Sequence, residues 1–331
     1  MKQRKDISRI AVFTSGGDAP GMNAAVRAVT RAALAHQLEV YGIKRGYQGM
    51  IENDFVKLEA GDVSGIMHLG GTFLQTARSK EFRTHEGRKK AFENLKNHQI
   101  DGVVVIGGDG SFAGALAFTQ EFDIPFVGIP GTIDNDMYGT DYTIGYDTAL
   151  NTVVEAVDKI KDTANSHGRI FFIEVMGREA GALALKAGLA CGAEVTFIPE
   201  IQNEEEELEK FLTKDYKNKQ RSGIVMVAEG DRAGGALKLA EKVQKNHPEI
   251  DVRVTILGHI QRGGSPSAND RVAATQMGVA AIDALLNNQI NVMIGMKNNK
   301  IVHVPFSNEV KTNREFNADL LKIQQLINSA Y

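Results

Sequence analysis

Tryptophan is absent from this 331-residue chain, and cysteine occurs once, at Cys191. A lone thiol excludes an internal disulfide and any cysteine-based metal cluster. Long apolar runs are missing too. The charged start, Met1-Lys2-Gln3-Arg4-Lys5-Asp6, leads only into the short run Ile10–Phe13, which Gly16 and Gly17 soon interrupt. That pattern is neither a secretory leader nor a membrane span, so the expectation is a cytoplasmic protein without a membrane partner. Excess charge of one sign is lacking as well: 38 Lys and Arg face 41 Asp and Glu, a net charge of −3. A nucleic-acid partner recruited by bulk charge is therefore not expected. No Pro- or Ser-rich linker divides the chain, yet its length suits two hydrophobic cores.

Glycine, in contrast, is abundant, with 34 residues, many placed just after apolar runs. Such placement suits strand-to-helix turns where backbone approaches a ligand. Strand candidates are Ile10–Thr14, Leu38–Ile43, Gly102–Ile106, Pro125–Ile129, Ile170–Val175, Glu194–Ile198, Gly223–Ala228 and Val252–Leu257. Most are rich in Val, Ile and Phe with few polar breaks, as in parallel strands buried on both faces. Amphipathic helices lie between them. Leu150, Val153, Val154, Val157, Ile160 and Ala164 recur at helical steps over 148–164. The stretch 204–219 starts with four glutamates and ends in lysines, which reads as a solvated surface helix. Val292–Phe306 reads as a hairpin around Lys297-Asn298-Asn299-Lys300, followed by a last helix.

Alternating strands and helices predict an α/β protein with two doubly wound, Rossmann-like domains and mainly parallel sheets. The larger domain is expected over residues 1–145 with about 261–311. The smaller is expected over 146–260 with about 312–331.

Ligands of open α/β sheets bind beyond the carboxyl ends of the strands. Thr14-Ser15-Gly16-Gly17-Asp18-Ala19-Pro20-Gly21-Met22-Asn23 and Gly107-Gly108-Asp109-Gly110-Ser111 both lie there. Each offers N–H groups and a helix start to an anion, and neither is a Walker loop. A carboxylate at Asp109 next to phosphate asks for a cation between them, so Asp109 is a Mg²⁺ candidate; a plain helix cap is the alternative. After the fourth strand comes Pro130-Gly131-Thr132-Ile133-Asp134-Asn135-Asp136. Two acids at i and i+2 of extended backbone point to one side. One could accept a hydroxyl proton while the other supports a metal, or the run could be an Asx turn.

Guanidinium forks match the oxygens of a transferred phosphoryl group. Arg178 in Met176-Gly177-Arg178 and Arg262 in His259-Ile260-Gln261-Arg262-Gly263-Gly264 follow strands, and Arg78 ends the glycine-led loop Gly70–Arg78. Arg169 and Arg253 lie at the opposite ends of the same two strands, roughly 23 Å and 20 Å from Met176 and His259. They are either surface salt-bridge residues or groups that reach a neighbouring subunit.

Together, Thr14–Asn23, Gly70–Arg78, Gly107–Ser111, Pro130–Asp136, Val175–Arg178 and Gly258–Pro266 resemble, in order and spacing, the bacterial-type phosphofructokinase family. The resemblance runs from Ile10 to about Leu286. It implies transfer of the γ-phosphoryl of ATP to the 1-hydroxyl of fructose 6-phosphate, giving fructose 1,6-bisphosphate in the committed step of glycolysis. By resemblance, Asp134 is the proton acceptor and Thr132 and Arg178 assist at the transferred group. Gly17, Arg78, Ser79, Gly108, Asp109, Gly110 and Ser111 line the ATP site. Thr132, Ile133, Asp134, Met176, Gly177, Arg178, Glu229, His259, Ile260, Gln261 and Arg262 hold the sugar phosphate, with Arg169 and Arg253 from an adjacent subunit. Asp109 and Asp136 handle Mg²⁺, and the assembly is a homotetramer.

Pyrophosphate-using relatives carry Asp where Gly110 stands and Lys where Gly131 stands, so ATP is the expected donor. A pyrophosphate-dependent enzyme, a Gly-Gly-Asp-Gly kinase acting on a dinucleotide or lipid, and a non-catalytic sugar-phosphate sensor are the other readings. The family's effector site for ADP or phosphoenolpyruvate is matched by Arg27, Arg31, Gly192 and Glu194. Lys161 stands where Arg is frequent, Ala60-Gly61 replaces an Arg–Tyr pair, and the following basic residues are shifted to Lys219 and Arg221. Ser79-Lys80 replaces a common Phe-Pro. Weakened or altered effector control is therefore expected.

Overall fold

The computed structural model describes residues 7–201, 204–215, 222–307 and 318–328. Two compact units divide them. One gathers the described residues up to Thr132, Met137–Thr148, and those from Arg262 through the second strand of the terminal hairpin. The other gathers Ile133–Asp136, Ala149–Gln261 and the last helix.

In chain order the first unit contains β1 (Arg9–Thr14), α1 (Met22–Ala35), β2 (Glu39–Ile43), α2 (Gly46–Ile51), β3 (Phe55–Leu58), α3 (His85–Asn97), β4 (Gly102–Gly107), α4 (Asp109–Glu121) and β5 (Phe126–Pro130). The second has most of α5 (Tyr146–His167), then β6 (Ile170–Val175), α6 (Ala182–Cys191), β7 (Val195–Phe197), α7 (Glu204–Lys210), β8 (Gly223–Ala228), α8 (Gly235–Asn246) and β9 (Val252–Ile256). The chain returns to the first unit for α9 (Ala268–Leu286), β10 (Val292–Lys297) and β11 (Lys300–Pro305), and to the second for α10 (Ala318–Asn328).

The first sheet runs β11-β10-β5-β4-β1-β2-β3. Its centre is parallel: Ile10 to Thr14 pair with Gly102 to Ile106, and Val103 to Gly107 with Phe126 to Pro130. Every residue of β4 and β5 is buried, which explains their unbroken apolar sequences. Antiparallel strands close both edges, β3 on β2 and β11 on β10. The β10–β11 hairpin turns through Asn298 and Asn299, at φ 50° and 59°. Two consecutive positive φ values match the twist of the flanking strands, and Asn tolerates them well.

Apolar residues cover both sheet faces. On one, α1 meets α9 so closely that an added Cβ at Gly278 would lie 2.5 Å from that of Ala28. The other holds a ring cluster, with Tyr47 edge-on to Phe13 at 4.9 Å and stacked on Phe82 at 3.9 Å between centroids. Rings of this kind supply the large apolar area that tryptophan does not.

The second sheet, β7-β8-β6-β9, is entirely parallel. Phe172, Phe197, Phe211, Val225, Val227 and Leu239 lie in its core. Gln324 of α10 donates from Nε2 to the Ala193 carbonyl at 3.1 Å and to Thr196 Oγ1 at 2.8 Å.

Three local expectations need correction. The strand Phe55–Leu58 was not foreseen: its four residues lie at an edge, only Leu58 is buried, and so no alternation marks it. The helix expected over 204–219 is α-helical only over Glu204–Lys210 and continues as a wider turn over Phe211–Asp215; 216–221 lie outside the described residues. Nor is its start fully solvated. Glu204 is buried, accepts the Ile198 N–H at 3.3 Å, and burial raises its carboxyl pKa.

Candidate active site

Strand order in the first sheet locates a switch point. From β1 the chain moves to β2 on one side, whereas β4 lies on the other. The loops after β1 and β4 therefore diverge and leave a crevice between them. Both glycine motifs flank that crevice. Ser15 N–H donates to the Ile106 carbonyl at 2.9 Å. A Cβ at Gly107 would strike Ser111 Oγ and lie 2.5 Å from the Ser15 carbonyl, so only glycine lets the two loops approach this closely.

Gly131 N–H donates to the Gly107 carbonyl at 3.0 Å, bringing the end of β5 beside them. Thr132 is buried, and its Cβ lies 3.8 Å from the Cβ position of Gly108. Helix α4 starts at Asp109, capped by the backbone of Gly108 with no side-chain cap bond, so Asp109 occupies the first turn and is not the cap. The leading N–H groups of a helix have no partner within it and face an anion favourably. Beyond Gly110 is open space: its Cβ would meet nothing within 4 Å. Ser111 is buried, and its carbonyl accepts the Tyr47 hydroxyl at 2.6 Å. Burial pushes the Tyr47 phenol pKa well up, which keeps it a donor.

The glycine-led loop is stitched to the same crevice. Thr14 Oγ1 donates to the Gln75 carbonyl at 2.8 Å, and Thr76 Oγ1 to that of Gly16 at 2.9 Å. Asn23, buried on α1, donates to the carbonyls of Leu69 and Gly70 at 3.1 and 3.2 Å and accepts the Phe73 N–H at 2.6 Å. Asn23 is the last residue of the Thr14–Asn23 motif, and the motif alone does not reveal this grip on the neighbouring loop. Arg78 is exposed. Ser79 Oγ accepts the Phe82 N–H at 3.1 Å, so Ser79 shapes the short turn Glu81–Arg83.

Arg262 was expected among the groups holding a sugar phosphate. Here it belongs to the first unit and lies over the first glycine turn. A Cβ at Gly17 would be 2.5 Å from Arg262 Nη1, which donates to the Asp18 carbonyl at 3.2 Å.

In the second unit, β8, β6 and β9 are neighbours, and the loops at their carboxyl ends meet. Met176 N–H donates to Gln261 Oε1 at 3.1 Å, and Arg178 N–H to Glu229 Oε1 at 2.7 Å. Gln261 is fully buried, whereas His259 and Ile260 are exposed. Arg178 stands at φ 56°, a left-handed conformation that a non-glycine residue rarely adopts without a local reason. Glycines surround it: Gly177 is at φ 143°, and a Cβ on Gly230 would run into the Arg178 carbonyl. The packed turn thus directs Arg178 outward, and its side chain is exposed.

Ile133, Asp134 and Asp136 fall in this unit. Ile133 and Asp134 are buried, Asp136 half-buried, and Asn135 between the acids is left-handed at φ 48°. That turn between the two carboxylates departs from a simple extended pair.

Arg169 and Arg253, at the far ends of β6 and β9, share one acid. Arg169 Nε lies 2.6 Å from Asp251 Oδ2, and Arg253 Nη1 pairs with Asp251 Oδ1.

The residues matched to an effector site divide as well. Arg27 is half-buried and Arg31 exposed on α1. Lys161 donates from Nζ to the Cys191 carbonyl, next to Gly192 at φ 58°. Glu194 Oε2 accepts the Ile224 N–H at 2.6 Å, and burial raises its pKa. Lys219 and Arg221 lie outside the described residues.

Comparison with known proteins agrees with this geometry. The phosphofructokinase family matches residues 9–285. A protein of Bacteroides thetaiotaomicron named ATP-dependent 6-phosphofructokinase 2 is 56% identical over 314 residues, covering 95% of this chain and 96% of that one. Phosphofructokinase of Saccharomyces cerevisiae superposes with a TM-score of 0.85 at 39% identity over 98% of this chain; the match spans 46% of the longer yeast chain. A pyrophosphate-dependent phosphofructokinase of Marinobacter aquaeolei superposes at 0.79, with 26% identity over 93% of this chain and 84% of that one. A switch-point crevice lined by two glycine turns, and a match that extends over most of the chain, lead to one assignment: this chain belongs to the phosphofructokinase family.

Proposed function

We propose that the chain transfers the γ-phosphoryl group of ATP to the 1-hydroxyl of fructose 6-phosphate, yielding fructose 1,6-bisphosphate and ADP in the committed step of glycolysis. The observation that carries this reading is the convergence of Ser15–Gly17, Gly107–Ser111 and Gly131–Thr132 at the carboxyl ends of β1, β4 and β5. Three adjoining backbone turns with a helix start make a cradle for a polyphosphate chain. Relatives of about half-identical sequence, named as ATP-dependent enzymes, support the same choice.

In this reading Asp134 accepts the proton of the sugar hydroxyl as that oxygen attacks the γ-phosphorus. The bond from the γ-phosphorus to the β–γ bridging oxygen breaks, and ADP leaves with that oxygen. Positioning and charge stabilisation carry most of such a reaction, so a weak carboxylate base suffices. Thr132 donates toward the transferred group, and Arg178 meets its oxygens with a guanidinium fork. Gln261 and Glu229 fix the backbone of Met176 and Arg178, while His259 and Arg262 approach the sugar phosphate.

Among the described residues no group of three or more His, Cys, Asp or Glu could cage a metal. Mg²⁺ takes one or two carboxylates and draws its other ligands from phosphate and water, and the carboxylate in the first turn of α4 is of that kind. Asp109, supported by Asp136, would hold it, and when bound it would neutralise charge on the phosphates.

Local space favours the nucleotide over pyrophosphate. Gly110 faces an open volume where an Asp would stand in the way of an α-phosphate. At Gly131 a side chain would press on Met22 Cε, 2.9 Å from its Cβ, and on Ile106 Cγ2 at 3.2 Å. The Lys of pyrophosphate users therefore has no room without repacking.

The same reading takes Arg27, Arg31, Lys161, Gly192 and Glu194 as the remnant of an ADP or phosphoenolpyruvate site, and a homotetramer as the assembly. The deciding assay measures turnover of fructose 6-phosphate with Mg²⁺ and either ATP or pyrophosphate. Turnover is expected with ATP, and Asp134→Ser should lower kcat by roughly 10²–10⁴ with KM nearly unchanged. Turnover with pyrophosphate alone, or an undiminished kcat, would refute the donor or the role of Asp134.

A further inference from the structure

Asp270 is fully buried at the start of α9. Its own N–H donates to Ser267 Oγ at 3.2 Å, an ordinary helix cap that needs nothing from the Asp270 side chain. The carboxylate has other partners. Oδ1 accepts the Tyr142 hydroxyl and the Gly145 N–H, both at 2.7 Å. Oδ2 accepts the Thr148 N–H at 2.8 Å and also the Thr148 hydroxyl. Ser267 Oγ lies farther off, at 3.5 Å, and its shorter bond, 2.6 Å, runs to Asp147 Oδ2. Four donors from one seven-residue segment thus meet one buried acid. Only an ionised carboxylate can accept from all four, because an amide would turn N–H groups toward two of them. Burial raises the Asp270 pKa, and the bonds from Thr148, Tyr142 and Gly145 oppose that rise.

The donors bracket Thr143 and Ile144, which grip the end of β5. Thr143 Oγ1 donates to the Thr132 carbonyl at 2.8 Å in a buried contact. Thr132 N–H donates to the Ile144 carbonyl at 3.1 Å, and Ile144 N–H to that of Pro130 at 2.9 Å. Both backbone groups of Thr132 are therefore held by residues that Asp270 fixes from either side.

We propose that Asp270 is a positioning residue for the phosphoryl-transfer step, setting Thr132 through the clasp of Tyr142–Thr148. This rests on the reading that Thr132 acts at the transferred group. A shift of about 1 Å at a reacting group lowers the rate by about 100-fold, so a remote anchor of this kind acts on kcat.

The test uses the full chain with fructose 6-phosphate, ATP and Mg²⁺. Asp270→Asn is expected to lower kcat about 100-fold, and Tyr142→Phe, which removes a single donor, about 10-fold, with both KM values within about threefold of the unaltered chain. In a Thr132→Ala background the same changes should lower kcat by less than about twofold more, because the group they position is gone. Amide exchange should quicken across 131–132 and 142–148 and stay unchanged in β6 and β8. Should Asp270→Asn fail to fold, Tyr142→Phe carries the comparison. A kcat within about twofold of the unaltered chain, full additivity with Thr132→Ala, or unchanged exchange at 131–132 would each overturn the proposal. An unaltered chain with no turnover would overturn the functional reading alone, and exchange would then decide the positioning claim.

Discussion

At the residue scale, burial decides which carboxylates are structural. Glu194 lies inside the second unit, and desolvation is the main cause of its raised pKa; its bond from Ile224 and the charge of Lys161 work against that rise. The sign of the consequence follows from linkage. A carboxyl that is harder to ionise when folded favours the folded state while protonated, and that advantage disappears as pH rises from the ordinary carboxylate range through the raised value. Glu194→Gln keeps an acceptor for the Ile224 N–H without the charge. Thermal scans should therefore show the Gln variant gaining on the unaltered chain as pH rises above the ordinary carboxylate range. A gap that is constant or narrows with pH would remove the burial argument. The acids that match the family's chemistry were visible as letters, because Asp134, Asp136 and Asp109 stand in short glycine-rich segments. Asp270 was not, because its partners come from a segment more than 120 residues earlier in the chain.

At the element scale, periodicity was a good guide wherever burial was complete. Strands β4, β5 and β8 are buried along their whole length, and β1 and β6 at all but one residue each (Arg9 and Glu174), so their apolar sequences declare them. Half-exposed β3 carries no such signal, and its register is set by β2 through pairs such as Val40 with Leu58. Helix α9 illustrates a different limit. Gly278 reads as a weak point inside a helix, but it allows the close approach of α1, with the Ala28 Cβ 2.5 Å and the Val29 nitrogen 3.2 Å from its Cβ position. Ala would favour an isolated helix. Here Gly278→Ala should instead destabilise by about 1–3 kcal/mol, as overpacked cores do. Chemical denaturation would check it, and a stabilised variant would show that the two helices can part freely.

At the scale of the whole molecule, two units each bring strand ends and their loops to one sheet edge, and no described helix is long and apolar enough to cross a membrane. Arg169 and Arg253 remain at the opposite ends of β6 and β9, both clasping Asp251. If a neighbouring subunit's substrate is their target, activity is a property of the assembly. Arg253→Ala and Asp134→Ser chains are each expected to be impaired. Co-expressed, they should form mixed oligomers in which an intact Asp134 faces an intact Arg253, with activity above the mean of the two parents. Activity equal to that mean would assign Arg253 to its surface ion pair with Asp251 alone.

The sequence by itself determined the α/β class, the alternation of elements, the glycine turns and the acids that follow β4 and β5. Each depends on neighbours a few residues apart, through periodicity, backbone freedom and turn chemistry. Tertiary structure alone decided the strand order, and hence that β1 and β4 flank the switch point. It also placed Arg262 over Gly17, gave Asn23 its grip on the loop from Leu69 to Phe73, and closed Tyr142–Thr148 around Asp270. Those outcomes depend on which distant segments the two cores bring together, and no local pattern encodes a contact between residues that only packing makes adjacent.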